Sequence, residues 1–340
     1  MLSITSTLQH FNTSTLQNNN TLRMKVTQHI KRAKGKTLFS FEILPPRKGE
    51  NVNGIFDAID PLMEFNPPFI DVTYHREEYI YKQHDNGLLE KVTTRKRPGT
   101  VGICAAIMNK YGVDAVPHII CGGFSREETE NALIDLDFLG IDNVLVLRGD
   151  AIKSEGRFVP DPDGHSYATE LMQQVLDLNQ GKYLHEEVEM AKTNFSMGVA
   201  GYPEKHFEAP SLKSDMKYLK QKVDMGAEYI VTQMFFDNQK YFDFVEKCRK
   251  ADINVPIIPG LKPLTTLNHS TILPSIFHVD LPDDLVDELD KCKDNKAAKE
   301  VGIEWCVQQS KELMEAKVPC LHYYTMSKSQ VVKQIAEKLF

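Results

Sequence analysis

Residues 39–46 read Phe-Ser-Phe-Glu-Ile-Leu-Pro-Pro, so one carboxylate, Glu42, stands inside an apolar strand that two prolines end. Burial disfavours the charged form of a carboxyl and raises its pKa, which suits a general acid working near neutrality. An ordinary ion pair with Arg47 is the competing reading. Residues 144–150, Val-Leu-Val-Leu-Arg-Gly-Asp, form a second candidate: an apolar run ends in a base, a glycine that permits close approach, and an acid. Arg148 could instead simply pair with Asp150. Asp71, Thr73 and His75 alternate with Tyr74 across another apolar run, which directs three polar side chains to one face. Tyr202, Glu204, Lys205 and His206 follow a further run, Thr232 and Gln233 lie within one, and Lys220 and Lys222 stand on a helical segment. The Gln233 amide both donates and accepts, a pattern that suits a heteroaromatic edge as well as a satisfied core position.

Other chemistries are excluded. There is no G-x-G, so the open-sheet dinucleotide fingerprint is absent. Gly35-Lys36-Thr37 imitates the end of a phosphate loop, but Ile30 stands where the required glycine should be. The six cysteines form no C-x-x-C pair, which reads as free thiols in a reducing cytosol and gives a cytoplasmic expectation. His118 and Cys121 are three apart without a second pair to complete a metal site, so no metal is expected. With 47 acidic against 40 basic residues the net charge of −7 offers no general attraction to nucleic acid, and the basic runs at 31–36 and 95–97 read as surface. No apolar run approaches the roughly 18 residues of a membrane span.

The elements that position these residues repeat one theme, a short apolar strand followed by an amphipathic helix, which yields a parallel sheet. Strands are expected at 37–44, 69–75, 115–120, 143–148, 195–200, 229–235, 256–260 and 322–325. Eight strands alternating with helices predict an α/β fold of the (βα)8 TIM type, in which function sits on the loops after the strands. Helices are expected near 25–33, at 125–139, where Ser125 and Glu128 make a capping box, and at 212–225, where Leu212, Met216, Leu219 and Val223 share a face. The connections 76–112 and 261–321 are long, the latter needing at least two helices. Residues 1–23, rich in Ser, Thr, Asn and Gln, read as a disordered tail, and 24–340 as one barrel domain.

Taken in order, these segments resemble the methylenetetrahydrofolate reductase family over residues 36–340. The most specific pieces are F-E-x-x-P-P at Glu42, D-V-T-Y at 71–74, P-H at 117–118, L-R-G-D at 147–150 and V-A-G-Y-P-E-K-H at 199–206. K-V-D-x-G-A at 222–227, T-Q-x-F-F at 232–236, I-P-G at 258–260 and H-Y-Y-T at 322–325 complete the series. The resemblance implies a barrel that holds FAD through Tyr74, His118, Arg148, Gly149, Asp150, Ala168, Tyr202, His206, Asp215 and Lys222. It implies a two-stage reaction: NADH or NADPH reduces the flavin and departs, and methylenetetrahydrofolate then takes the hydride at the same site. Glu42 would be the general acid and Asp150 the second catalytic residue, close to the flavin ring. Thr73, Asp150, Gln233 and Lys328 would contact substrate. Departures from the family pattern are Ile43 and Leu44 where two aromatics are common, Lys328 where an arginine is common, and Tyr218 and Gln221 where some relatives have polar and basic residues that help hold FAD. The resemblance ends with the chain at Phe340, which implies no adenosylmethionine-binding regulatory domain; it leaves NADH against NADPH, and a homo-oligomer, open.

Three other readings compete. A flavin barrel similar to proline dehydrogenase shares the architecture but needs another substrate-carboxylate site. A noncatalytic folate- or flavin-binding subunit would have no use for a buried acid at position 42. A Schiff-base lyase would need a lysine within a barrel strand, where only Lys262, at an edge, comes near.

Overall fold

The computed structural model describes residues 23–94, 96–152, 156–326 and 328–340. The expected disordered tail lies outside the described residues except for Arg23, as does Arg95 of the 95–97 run.

The barrel strands are β1 Leu38–Ile43, β2 Phe69–Val72, β3 Asp114–Ile120, β4 Asn143–Leu147, β5 Ser196–Gly201, β6 Ala227–Thr232, β7 in two pieces, Ile257–Ile258 and Gly260–Leu261, and β8 Cys320–Tyr324. Each pairs in parallel with its neighbour. Proline has no N–H to give to a ladder, and Pro259 is where β7 divides. Its first piece pairs with β6 and its second with β8, while β8 pairs with β1, so the ring closes. The Pro259 carbonyl still accepts from the His322 N–H at 3.1 Å. The eight expected strands are all present. The second is shorter than its polar alternation suggested: β2 ends at Val72, and Thr73 keeps one ladder bond, donating to the Ile43 carbonyl at 3.1 Å, before the chain leaves the sheet.

Strand alternation sorts the side chains into two layers. On β1, Phe39, Phe41 and Ile43 join the core between strands and helices, whereas Leu38, Ser40 and Glu42 occupy the opposite face, inside the barrel. The lower interior is apolar: Phe69, Val116, Leu145, Tyr229, Val231, Ile258 and Cys320 pack together. The helix Val26–Arg32 stoppers that end, placing Val26 and Ile30 against the cluster. It is pinned to the starts of β3 and β4, where the Val26 N–H donates to Asn143 Oδ1 at 2.9 Å and His29 Nε2 lies 2.7 Å from Asp114 Oδ2. With the strand starts plugged, access is left to the ends, where the chemically interesting residues stand.

The two long connections build the rim of that mouth. Residues 76–112 hold an antiparallel hairpin, Glu78–Gln83 with Leu89–Thr94, and the helix Thr100–Tyr111. The hairpin base is tied to the loop after β1: the Lys48 N–H donates to the Lys96 carbonyl at 2.7 Å and the Arg97 guanidinium to the Pro45 carbonyl. Residues 261–321 hold three helices, His269–Phe277, Asp283–Asp290 and Asn295–Glu315, around their own apolar cluster. The Ser125–Glu128 capping box forms as expected at the start of helix Arg126–Phe138.

Tyr229 fills the barrel because β5 offers no side chain at Gly198, where a Cβ would fall within the Tyr229 ring. Gly198→Ala should therefore destabilise the fold by about 1–3 kcal/mol in urea unfolding, the usual scale of overpacking. Adding Tyr229→Leu should recover at least half of the loss; wild-type stability in the single variant would contradict this packing.

Candidate active site

Three adjacent strands bring one side chain each to the centre of the open mouth. Register places Glu42 of β1 beside Asp71 of β2, and Asp71 beside Val116 of β3, whose inward neighbour two positions on is His118. His118 Nε2 lies 3.7 Å from Glu42 Oε2 and 3.5 Å from Asp71 Oδ2. All three are nearly sealed, at 8%, 1% and 6% exposure for Glu42, Asp71 and His118. These are ion-pair distances without well-formed hydrogen bonds, since neither Asp71 oxygen nor His118 Nε2 has a hydrogen-bond partner among the described residues. The expected alternative for Glu42 fails: among the described residues its carboxylate makes no ion pair with Arg47 and faces His118 instead.

Burial is the largest influence on Glu42 and lifts its pKa from 4.5 to about 7; His118 pulls it down, Asp71 pushes it up and Lys262 pulls it down. Burial opposes charge on His118, but the Asp71 and Glu42 carboxylates outweigh it and the imidazole is raised. The site thus keeps one carboxyl able to hold or release a proton near neutrality, beside an imidazole biased toward its charged form. The adjoining wall, on β1 and β8, is polar too. His322 Nδ1 meets Ser40 Oγ at 2.9 Å, and burial pushes that imidazole down. The Tyr324 hydroxyl donates to the Thr232 carbonyl at 2.6 Å and the Thr325 hydroxyl to the Glu42 carbonyl at 2.6 Å.

A second cluster lies on the loops after β4 and β5 and the helix Leu212–Asp224. Arg148 pairs with Glu208 at 2.5 Å, not with Asp150, and its guanidinium lies 4.9 Å from the centre of the Phe158 ring. Gly149 takes φ +86°, a left-handed conformation that glycine adopts without strain. Asp150 is exposed, and its charge, after burial, is the next influence holding the Tyr202 phenol above its usual range. Tyr202 stands edge-on to His206 at 4.7 Å, and the His206 N–H donates to Asp215 Oδ2 at 2.9 Å. Lys222 reaches under β5 to the Ala200 carbonyl at 3.0 Å; burial lowers its pKa to about 8 and Asp215 opposes the shift. Ala168 opens the helix Ala168–Asn179, which has no side-chain cap on its first turn. Two cations, a row of aromatic faces and an uncapped helix start are chemistry that fits a flavin dinucleotide.

The structure therefore gathers Arg148, Gly149, Asp150, Tyr202, His206, Asp215 and Lys222 in one region. It sets His118 apart from them, in the acid cluster. Tyr74 packs its ring 4.8 Å from that of Phe124. Thr73 donates to the Ile43 carbonyl at 3.3 Å, one residue past Glu42. Gln233 Oε1 accepts from the Met234 N–H at 2.9 Å, and Lys328 is exposed just before the helix Ser329–Ala336. Sequence reasoning did not assign Asp71, Lys262, His322 or Glu208 to the site. Asp71 carried a signal in the polar alternation of residues 71–75, Lys262 was noticed only as a lysine at a strand edge and His322 only within a family motif, and Glu208 carried none. Among the described residues no His, Cys, Asp and Glu group could hold a metal, and no helix is long and apolar enough to cross a membrane.

A family model described as methylenetetrahydrofolate reductase matches residues 25–340. This chain belongs to that family. It is 32% identical over 316 residues to "Methylenetetrahydrofolate reductase (NADH) 1" of Arabidopsis thaliana, a match covering 89% of this chain and 49% of the plant protein. It is 29% identical to "5,10-methylenetetrahydrofolate reductase" of Escherichia coli, covering 93% of this chain and 95% of the bacterial one. The chain spans about half the length of the plant, nematode and fungal relatives it matches. Among solved structures, a Clostridium thermocellum protein described as binding two copies of 5-methyl-5,6,7,8-tetrahydrofolic acid superposes with a TM-score of 0.57 at 14% identity, covering 92% of this chain and 98% of that one, a likeness of fold.

Because the folded-state pKa of Glu42 is raised, its favourable contribution is complete below pH 4.5 and is lost as pH rises through about 7. Glu42→Gln imitates the protonated acid, so its stability relative to wild type should grow between pH 5 and pH 8.5, by an amount on the order of 2–3 kcal/mol. Urea unfolding at the two pH values checks this; a pH-independent difference would contradict it.

Proposed function

We propose that this chain reduces 5,10-methylenetetrahydrofolate to 5-methyltetrahydrofolate, taking the hydride from NADH or NADPH by way of bound FAD. The observation that carries the reading is the buried, protonatable Glu42 at the mouth of a barrel whose sequence belongs to this family. The bacterial relative matched over nearly its whole length supports a barrel of this size as sufficient for the activity its name describes.

The chemistry needs one hydride and one proton for each methylene group reduced. FAD, when bound, supplies a carrier that accepts two electrons from the nicotinamide and returns them to the folate. Arg148 and Lys222 would face its pyrophosphate, with Arg148 exchanging its Glu208 partner for phosphate oxygens. Tyr74, Gly149, Ala168, Tyr202, His206 and Asp215 would line the remainder. Asp150 would hold negative charge beside the ring and, with Thr73, Gln233 and Lys328, orient the folate.

Glu42 gives its proton to a ring nitrogen of the one-carbon bridge, which opens the five-membered ring to an iminium that can accept hydride. General acid catalysis of this kind is worth about 10²–10⁴ in rate. His118, biased toward its charged form and 3.7 Å away, stands ready to return a proton to Glu42. NAD(P)H oxidation asks nothing of the acid, so the two half-reactions should respond differently to its loss.

Anaerobic titration separates them. NADH or NADPH should bleach the flavin band of wild type and of Glu42→Gln alike, while methylenetetrahydrofolate restores it in wild type and about 10²–10⁴ more slowly in the variant. In wild type the folate step should slow as pH rises through about 7, where Glu42 loses its proton, and this limb should vanish in the variant. Ordinary folate reoxidation in Glu42→Gln would overturn the assignment of the acid; no response to folate in wild type would overturn the function.

A further inference from the structure

Lys262 is the first residue past β7 and is only 7% exposed. Long cationic side chains are almost never fully buried without a carboxylate partner. Among the described residues Lys262 has none: its ammonium makes a single hydrogen bond, to the Tyr324 carbonyl at 3.2 Å. The residue before it, Leu261, is in register with Tyr323, and Tyr324 is in register with Glu42. Lys262, Tyr324 and Glu42 therefore lie along one course across β7, β8 and β1 at the open mouth. The ammonium is held on the side of Glu42 away from His118 and Asp71, which approach from β3 and β2.

The charges around this course are few. Glu42 faces His118, Asp71 and Lys262, and its charge is felt by the Tyr324 phenol on β8. Lys262 faces Glu42, the Cys306 thiol and a second cation, Lys328, and both lysines also act on His269. Burial and then Lys328 lower Lys262 to about 8, so it is still largely charged at neutral pH. An ammonium kept there without an anion would be compensated only when a negative charge develops nearby.

We propose that Lys262 is a positioning residue for the acid: its ammonium stabilises the carboxylate that Glu42 becomes on giving its proton to the substrate. The inference rests on the functional reading above. In that step the O–H bond of Glu42 breaks, an N–H bond forms on the folate, and the new carboxylate is flanked by His118 on one side and Lys262 on the other. Without Lys262, Glu42 is a weaker acid. It keeps its proton to higher pH yet donates it less readily, a pair of effects that loss of packing would not produce together.

The test is the pH profile of flavin reoxidation by methylenetetrahydrofolate, measured on reduced holoenzyme by stopped flow. Lys262→Met should move the falling limb upward by about 0.5–1 pH unit and lower the plateau rate about tenfold. Its reduction by NAD(P)H should stay within about twofold of wild type. Lys262→Arg, which keeps the charge, should hold the limb within about 0.3 unit of wild type. A limb that does not move in Lys262→Met, or that moves equally in Lys262→Arg, overturns the proposal. Should Lys262→Met fail to fold, Lys262→Gln is read by the same criteria. Failure of wild type itself to reduce the folate would instead bring down the functional reading.

Discussion

The interior of this barrel has to hold a carboxyl, a carboxylate, an imidazole and an ammonium away from water, and the rest of the structure follows from how it does so. Isolated buried charge is very costly, so such groups survive only by sharing protons or opposing one another. Glu42 meets the constraint by keeping its proton to about pH 7, and His118 by lying between Glu42 and Asp71. A plugged lower end makes this possible. Helix Val26–Arg32 and the apolar cluster above it close the strand-start end beneath the polar residues.

The same arrangement divides the labour between two regions. Proton chemistry is confined to strand interiors, where β1, β2 and β3 fix side chains by register and leave them little freedom. The cations and aromatic faces suited to a large cofactor sit on loops after β4 and β5, where Arg148 is held by Glu208 and Lys222 by a main-chain carbonyl until something better arrives. Under the proposed function, rigid placement of Glu42 and adaptable placement of the cofactor-facing residues would suit a site that serves two substrates in turn.

Much of this was legible in the sequence, for physical reasons that can be named. Strands buried on both faces are short apolar runs, and all eight were readable; a polar residue inside such a run is conspicuous, which is how Glu42 stood out. The hairpin was readable in principle, since Asn86-Gly87 lies at its turn with Gly87 at φ +82°, between runs rich in β-forming residues. Pairings across the fold were not legible. Arg148 has Asp150 two residues away, yet it pairs with Glu208 from the next loop, and no local spacing reveals that. Lys262 lies one residue beyond its strand, so its burial depends on β8 and the helices that cover it.

The central claim is that Glu42 carries a proton at neutral pH because it is buried beside Asp71, and the most direct test is to watch that proton. Difference infrared spectroscopy between wild type and Glu42→Gln isolates the carbonyl stretch of the protonated acid as pH is varied. The account predicts a band that titrates with a midpoint near 7 and is absent from the variant. A midpoint at the ordinary 4.5 would mean that Glu42 is already ionised at neutrality and is not the proton donor.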